Sequence, residues 1–341
     1  MFIPKRIIFE KGSLDYEMGK NIYKTFRDNE NVEIIKLNSN RIKQHIPGEG
    51  DLHKFYRQGK NTLVVGVKKG FKFQSCKPSA HWQLPLLSGC IGHCQYCYLN
   101  TNLGDKPYIK VNVNIDDILN QAQKYINERL PETTIFEGSA TSDPIPIEPY
   151  THSLKTAIEF FAKTDNSRFR FVTKYNDIDA LLDADHRGKT EVRFTLNTAK
   201  VINDFENRTA SIEKRIEASV RIAEAGYPVG FIIAPVFLYD GWKEDYKKLL
   251  IDLNNKLPKD LEYPVTFEVI SHRYTTRAKN IILEVFPDTT LPMDDEVRKY
   301  KYGQFGYGKY VYTKEELQDM KTFFTKEITE IFANSEIKYI I

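Results

Sequence analysis

Beginning near position 80, short apolar runs alternate with stretches whose apolar residues recur every three to four positions. A parallel sheet with crossover helices requires this alternation. Six strands are predicted, over Trp82–Leu87, Thr134–Ser139, Phe169–Thr173, Glu191–Leu196, Val229–Pro235 and Val265–Ile270. Gly230–Pro235 is nearly all apolar, as a strand covered on both faces must be. Between the strands, Ile118, Leu119, Ala122, Tyr125 and Ile126 share one helical face after Asn114, an N-cap residue type. A second helix runs from Ser211 through Ile212, Ile216, Val220 and Ala223 and is expected to stop near Gly226. Ahead of the six units, the pattern predicts a strand at Arg6–Phe9, a helix over Tyr16–Arg27 and a strand at Val32–Leu37. The expected fold is α/β. A small α/β N-terminal domain (1–79) precedes a partial (β/α)6 barrel of the TIM type (80–275) and a C-terminal segment (276–341) with a β-hairpin at 299–312.

In such barrels ligands gather at the C-terminal strand ends. The loops there are polar in this chain, with Thr141-Ser142-Asp143 after the second strand and Lys174 after the third. Thr195 and Asn197 end the fourth, and Ser271-His272-Arg273 follow the sixth. With 28% charged and 41% hydrophobic residues, the 341-residue chain belongs with soluble globular proteins and should fold throughout. A net charge of +3 leaves any nucleic-acid contact to a local patch. The longest apolar run, Val229 to Tyr239, falls short of the roughly 20 residues that cross a bilayer, and Met1 to Lys11 has no signal-peptide core. A cytoplasmic protein with no membrane partner is expected.

Four cysteines without an export signal do not make a disulfide framework, and three of them form Cys90-Ile-Gly-His-Cys94-Gln-Tyr-Cys97, a C-x3-C-x2-C loop after an apolar strand. Thiolates ligate iron–sulfur cubanes. Three of them leave one of four irons open to a substrate or cofactor, by the logic of an open catalytic zinc position. The competing reading is a structural zinc site with His93 as fourth ligand. Adjacent His93 and Cys94 would strain a tetrahedron, so His93 reads better as a polar loop residue or a hydrogen-bond donor near the cluster.

The same loop at the first strand end of a six-unit β/α chain resembles the radical S-adenosylmethionine (AdoMet) superfamily. Lys77-Pro78-Ser79-Ala80, Gly89-Cys90, Cys97-Tyr98-Leu99, Lys106-Pro107-Tyr108, Thr141-Ser142-Asp143, Phe171-Val172-Thr173-Lys174, Ala234-Pro235 and Gly308-Lys309-Tyr310-Val311-Tyr312 extend the likeness over nearly the whole chain. Together they resemble the spore photoproduct lyase family. The resemblance implies a [4Fe–4S] cluster on Cys90, Cys94 and Cys97, with AdoMet on the open iron and on Ser142, Lys174, Thr195, Asn197 and Ala234. It implies a carbon–carbon lyase that repairs DNA through a 5′-deoxyadenosyl radical. Hydrogen taken at C6 of a methylene-bridged thymine dimer, the spore photoproduct, triggers scission to two thymines. The implied partners are duplex DNA carrying the lesion and an electron donor such as flavodoxin or ferredoxin, for a monomer in the spore core. Two other readings stand beside it: a radical AdoMet enzyme acting on a different nucleic acid or a small molecule, and a non-enzymatic metal-binding nucleic-acid module.

Several residues admit two readings. Lys174 is either a solvated charge or the partner of the AdoMet carboxylate. Tyr96 and Tyr98 either shield the cluster or relay a hydrogen atom. Asp143 is either a cap before Pro144 or a group facing the lesion. The family's hydrogen-donor cysteine is missing from Glu137-Gly-Ser-Ala140-Thr-Ser-Asp143, where Ala140 stands in its place, either as an engineered replacement or because another group has taken over the role. Cys76 is then either a small hydrophobe or the substitute donor, being the remaining thiol outside the loop. Lys299 to Tyr312 alternates Lys and Tyr about Gly303, Gly306 and Gly308, as a hairpin does. Its tyrosines either pack on the barrel, or Phe305 wedges the lesion with Gln304 hydrogen-bonded nearby and Lys301 and Lys309 on phosphates. The family pattern has Arg-Tyr where this chain has Gln304-Phe305.

Overall fold

The computed structural model describes residues 2–38, 41–48, 51–102, 104, 107–138, 140–302 and 308–341. The chain gathers into two compact units. The first comprises Met1–Ile91, Asn102–Thr173 and Asp177–Glu191, and the second Gly92–Thr101, Lys174–Asn176 and Val192–Ile341.

The first unit contains two sheets. One is ordered Glu33–Lys36, Arg6–Phe9, Thr62–Gly66, Ile109–Asn112, Leu87–Ser88, with the first four parallel and the last antiparallel. Its central strands are short runs of β-branched and leucine side chains buried on both faces: Ile7, Ile8, Leu63, Val64 and Val65. Three N-terminal elements stand where the pattern predicts them, at Arg6–Phe9, Glu17–Phe26 and Glu33–Lys36. The helix Leu52–Lys60 and strand Thr62–Gly66 were not predicted, because the helix carries few apolar residues. Asp51 caps that helix by accepting from His53 N at 3.0 Å. This sheet also recruits Leu87–Ser88 and Ile109–Asn112 from beyond position 79.

The second sheet segment of this unit runs Ser75–Cys76, Ala80–Leu84, Thr134–Gly138, Ser167–Thr173, the last three parallel. Helices Ile115–Arg129 and Ser153–Lys163 follow the first two of those parallel strands in the chain's β/α alternation. Asn114 does not cap its helix as expected. Its amide instead clamps the backbone of Lys68, accepting from the N–H at 2.8 Å and donating to the carbonyl at 3.1 Å. Phe161 stacks on Phe169 with ring centroids 5.1 Å apart, and Gly138 fits because a Cβ there would lie 2.7 Å from the Phe169 ring.

The second unit carries the parallel run Thr190–Leu196, Val229–Val236, Val265–Ser271, Ser335–Ile340, in that spatial order. The predicted strands are thus all present, with boundaries shifted by a residue or a few. Ser335–Ile340 is an addition, legible only once the strand it pairs with is known. Ser211 caps Ile212–Glu224 through Lys214 N, and Gly226, at φ 85°, follows the helix end as expected. Thr313 and Glu316 form a capping box at the head of Lys314–Ile331. Among the described residues no helix is long and apolar enough to cross a membrane.

Candidate functional site

In the first unit, the loop after Leu87–Ser88 opens at Gly89, whose φ of 80° suits glycine. A Cβ there would meet the Tyr108 carbonyl oxygen at 2.3 Å. Gly89 N donates to Thr141 O at 3.1 Å, and Gly89 bridges Ser142 in parallel register. The segment containing Ala140, Ser142 and Asp143 is therefore tied to the start of the cysteine loop. The Cys90 carbonyl accepts from Lys60 Nζ at 2.7 Å. Asp143 is buried, and its Oδ1 accepts from Thr173 Oγ1 at 2.8 Å and Ile145 N at 3.3 Å. The first of these bonds ties Asp143 to the end of Ser167–Thr173, and the second closes a local turn over Pro144.

The rest of the loop belongs to the second unit. His93–Cys94 pairs antiparallel with Glu206–Asn207, Cys97 N donates to Cys94 O, and Asn100 Nδ2 donates to the carbonyls of Cys94 and Gln95. His93 Nε2 lies 3.0 Å from Arg208. None of the four cysteines is in a disulfide. That donor set, three cysteines on one short stretch of backbone and outside any disulfide, fits an iron–sulfur cluster. Among the described residues no three His, Cys, Asp or Glu side chains close on one point as a single metal ion needs. In a [4Fe–4S] cluster each thiolate binds a different iron.

Behind the loop, Glu206 forms the centre of a buried polar group that sequence reading missed. Arg215 Nη2 donates to Glu206 Oε2 at 2.6 Å, Lys174 Nζ donates to Oε1 at 2.9 Å, and the Tyr96 hydroxyl donates to the same Oε1. Lys174 Nζ also donates to the Tyr96 oxygen at 2.9 Å. Arg215 spends its other donors on the carbonyls of Ala210 and Thr195 and on Thr209 Oγ1. Burial alone would raise the Glu206 pKa, but the Lys174 and Arg215 cations outweigh it and hold the carboxyl at about 2. For Tyr96, burial and then the Glu206 charge push the phenol well above its usual value. Lys174 is thus no solvated charge. Its ammonium donates to both Glu206 and Tyr96 within the fold.

Tyr98 is 53% exposed and takes no part in that group, so the structure separates the two tyrosines that flank Cys97. Thr195 is buried with its carbonyl on Arg215. Asn197 is fully buried and its amide is committed: Nδ2 to Pro235 O at 2.8 Å, Oδ1 from Tyr246 OH at 2.7 Å and Thr198 N at 3.0 Å. Ala234 is half-buried in Val229–Val236, where pairing with the next strand slips between Ile233 and Val236. His272 is stacked on Phe237 with centroids 4.5 Å apart, and burial drives its pKa down to about 3, so it stays neutral.

The hairpin is present as Lys299–Tyr302 paired with Gly308–Val311. Lys301 stands directly opposite Lys309, an arrangement that costs stability unless an anion intervenes. Tyr310 packs on Tyr274 with centroids 5.2 Å apart, whereas Tyr300 and Tyr302 are exposed. The packing reading holds for Tyr310. Gln304 and Phe305 lie outside the described residues.

The model of the family described as spore photoproduct lyase matches residues 2–341. The chain belongs to the spore photoproduct lyase family. A spore photoproduct lyase of Clostridium acetobutylicum is 54% identical over 338 residues, 99% of this chain and 98% of that one. A solved spore photoproduct lyase complexed with dinucleoside spore photoproduct is 46% identical at a TM-score of 0.94, covering 100% of this chain and 99% of that one. With that match, the α/β partial-barrel architecture is established. A second solved structure has bound AdoMet and dinucleoside spore photoproduct, with a TM-score of 0.93, 46% identity and the same coverage of 100% and 99%. It is a variant in which the cysteine at its position 140 is alanine and the serine at its position 76 is cysteine. This family member has alanine and cysteine at the same two numbers, Ala140 and Cys76.

Cys76 is not level with Ala140. It pairs with Ala80 at the start of Ala80–Leu84, after a register slip next to Ser75. Gly138, two residues before Ala140, pairs with Leu84. Four residues separate these levels, about 13 Å along the sheet at ~3.3 Å per residue.

Proposed function

We propose that this chain is a DNA-repair lyase that reverses the spore photoproduct to two thymines in spore DNA, using a [4Fe–4S] cluster and AdoMet. The observation that supports this most is whole-chain likeness to a lyase structure holding AdoMet and dinucleoside spore photoproduct. The cluster and AdoMet, when bound, supply a radical that abstracts hydrogen from the lesion. Cys90, Cys94 and Cys97 hold the cluster. Ser142, Lys174, Thr195, Asn197 and Ala234 would form the AdoMet side, with the Lys174 ammonium, held by Glu206, as the cation that would pair with its carboxylate. Lys301 and Lys309, facing one another across the hairpin, take phosphate between them, and Asp143, Gln304 and Phe305 complete the lesion side. An external one-electron donor such as flavodoxin or ferredoxin completes the requirements. The test is anaerobic incubation with dithionite, AdoMet and lesion-bearing DNA, followed by chromatography. AdoMet-dependent thymine supports the reading; 5′-deoxyadenosine formed without thymine points to another substrate, and neither product refutes both.

Cys76 returns a hydrogen atom to the thymine radical, in place of the cysteine absent at Ala140, with Tyr98 and Tyr96 as later links. Donation requires the Ser75–Cys76 strand to leave its register with Ala80, where pairing is already irregular. Cys76→Ala is expected to keep AdoMet cleavage, to lower thymine yield several-fold and to divert product to adducts with dithionite-derived species. Thymine at the parent rate without adducts would show Cys76 to be idle. Ala140→Cys in the Cys76→Ala background is expected to restore the yield.

A further inference from the structure

The first unit holds an open polar crevice of about 470 Å³, lined by Glu10, Lys68, Lys69, Lys72, Lys110 and Thr141 among others. Its position follows from topology. The chain leaves Arg6–Phe9 for a neighbour on one side, Glu33–Lys36, then crosses back to Thr62–Gly66 on the other. The crevice beyond the C-terminal ends of Arg6–Phe9 and Thr62–Gly66 is a topological switch point, where open α/β sheets bind ligands. Glu10 is the first residue past one strand, and Lys68 lies just past the other.

The charges in this crevice are arranged for an anion. Glu10, its side chain only 7% exposed, takes Lys110 Nζ on both oxygens, at 2.8 and 2.7 Å. Gly66 makes room for that pair, since a Cβ would lie 2.1 Å from Glu10 Oε2. The one lining carboxylate is thereby committed to Lys110. Lys68 is half-buried, with its backbone clamped by Asn114, while Lys69 and Lys72 are exposed. Their ammonium groups form no ion pair with another described residue. Three such cations on one concave wall repel one another and attract phosphate. The cavity also reaches Thr141, the residue before Ser142 and Asp143.

We propose that this crevice binds phosphates of the DNA strand flanking the lesion, with Lys68, Lys69 and Lys72 as the contacting groups. This rests on DNA being the substrate, and it adds a phosphate-binding surface in the N-terminal sheet to the one on the hairpin. Each phosphate contact contributes about 0.9 to the slope of log Kd against log salt on duplex DNA.

The experiment titrates the full-length protein with lesion-free duplex DNA at several salt concentrations. The Lys68→Gln/Lys69→Gln/Lys72→Gln variant is expected to lose about 2 to 3 from the slope and to bind at least ~10-fold more weakly at low salt. A control, Lys24→Gln/Lys124→Gln/Lys163→Gln, removes the same charge from exposed helix positions outside the cavity. It is expected to keep the parent slope. Equal slopes for the cavity variant and the parent, or an equal drop in the control, would overturn the proposal. So would thermal stabilisation of the parent by millimolar inorganic phosphate or AMP that the cavity variant loses while its DNA slope is unchanged, since the crevice would then hold a free anion and not a strand. The slope is read without turnover. Absence of thymine release from dinucleoside lesion by the parent would instead refute the repair reading.

Discussion

Anaerobically reconstituted protein is expected to hold about four irons per chain, and Cys90→Ala, Cys94→Ala or Cys97→Ala is expected to abolish both lesion repair and reductive AdoMet cleavage. The effect is all-or-none because each thiolate holds a different iron, and the open fourth iron has meaning only while the other three are held. The local folds around the cysteines are anchored independently of the thiols. Cys90 is fixed through its carbonyl to Lys60, and Cys94 through its carbonyl to Asn100 and its strand pairing to Glu206. The alanine variants should therefore stay folded, which far-UV circular dichroism checks, while losing the visible absorption of the cluster. Cys76→Ala should keep its iron, because Cys76 lies in a different strand pair. Stoichiometric zinc without iron after anaerobic purification would contradict the radical reading.

The second large effect concerns Glu206, which no motif marks. Removing one member of a buried, hydrogen-bonded ion pair costs about 3–5 kcal/mol, because the partner charges are left uncompensated. Glu206→Leu strands Arg215, whose side chain is fully buried, and Lys174 as well. A loss of that order in urea unfolding is expected, with Glu206→Gln milder because it retains acceptors for Tyr96 and one cation. The pH dependence follows from the lowered pKa. A carboxyl held at about 2 in the folded protein and near ~4.3 unfolded contributes stability that is complete above the unfolded value and disappears as pH falls through about 2. Acid unfolding of Glu206→Leu should be flatter between those limits. An unchanged urea midpoint would show that the buried group is dispensable.

The barrel strands could be read from the sequence because each is a short, nearly unbroken apolar run, as in Val229–Val236, and such runs need no partner to be recognised. Leu52–Lys60 and Ser335–Ile340 could not, because one is a polar helix and the other alternates charge with apolar residues at a sheet edge. The cysteine loop was legible from spacing alone. The Glu206 group was not, since its members are spread over Tyr96, Lys174, Glu206 and Arg215 and meet only through the fold. Phe205-Glu206, an acid directly after an apolar helix end, is the one local signal. Lys174 was picked out by its place after the third strand, but its buried partner could not be known. For Asp143 and Asn197 the fold supplies hydrogen-bond partners that a linear reading has no means to count.

In the proposed repair, hydrogen leaves the lesion for the cofactor, and one labelling experiment tests that step. Dinucleoside spore photoproduct carrying deuterium at C6 is incubated anaerobically with the reconstituted protein, dithionite and AdoMet, and the products are weighed by mass spectrometry. The expected result is thymine together with 5′-deoxyadenosine that has gained one deuterium. Thymine accompanied only by unlabelled 5′-deoxyadenosine, or labelled lesion recovered intact while AdoMet is cleaved, would contradict it.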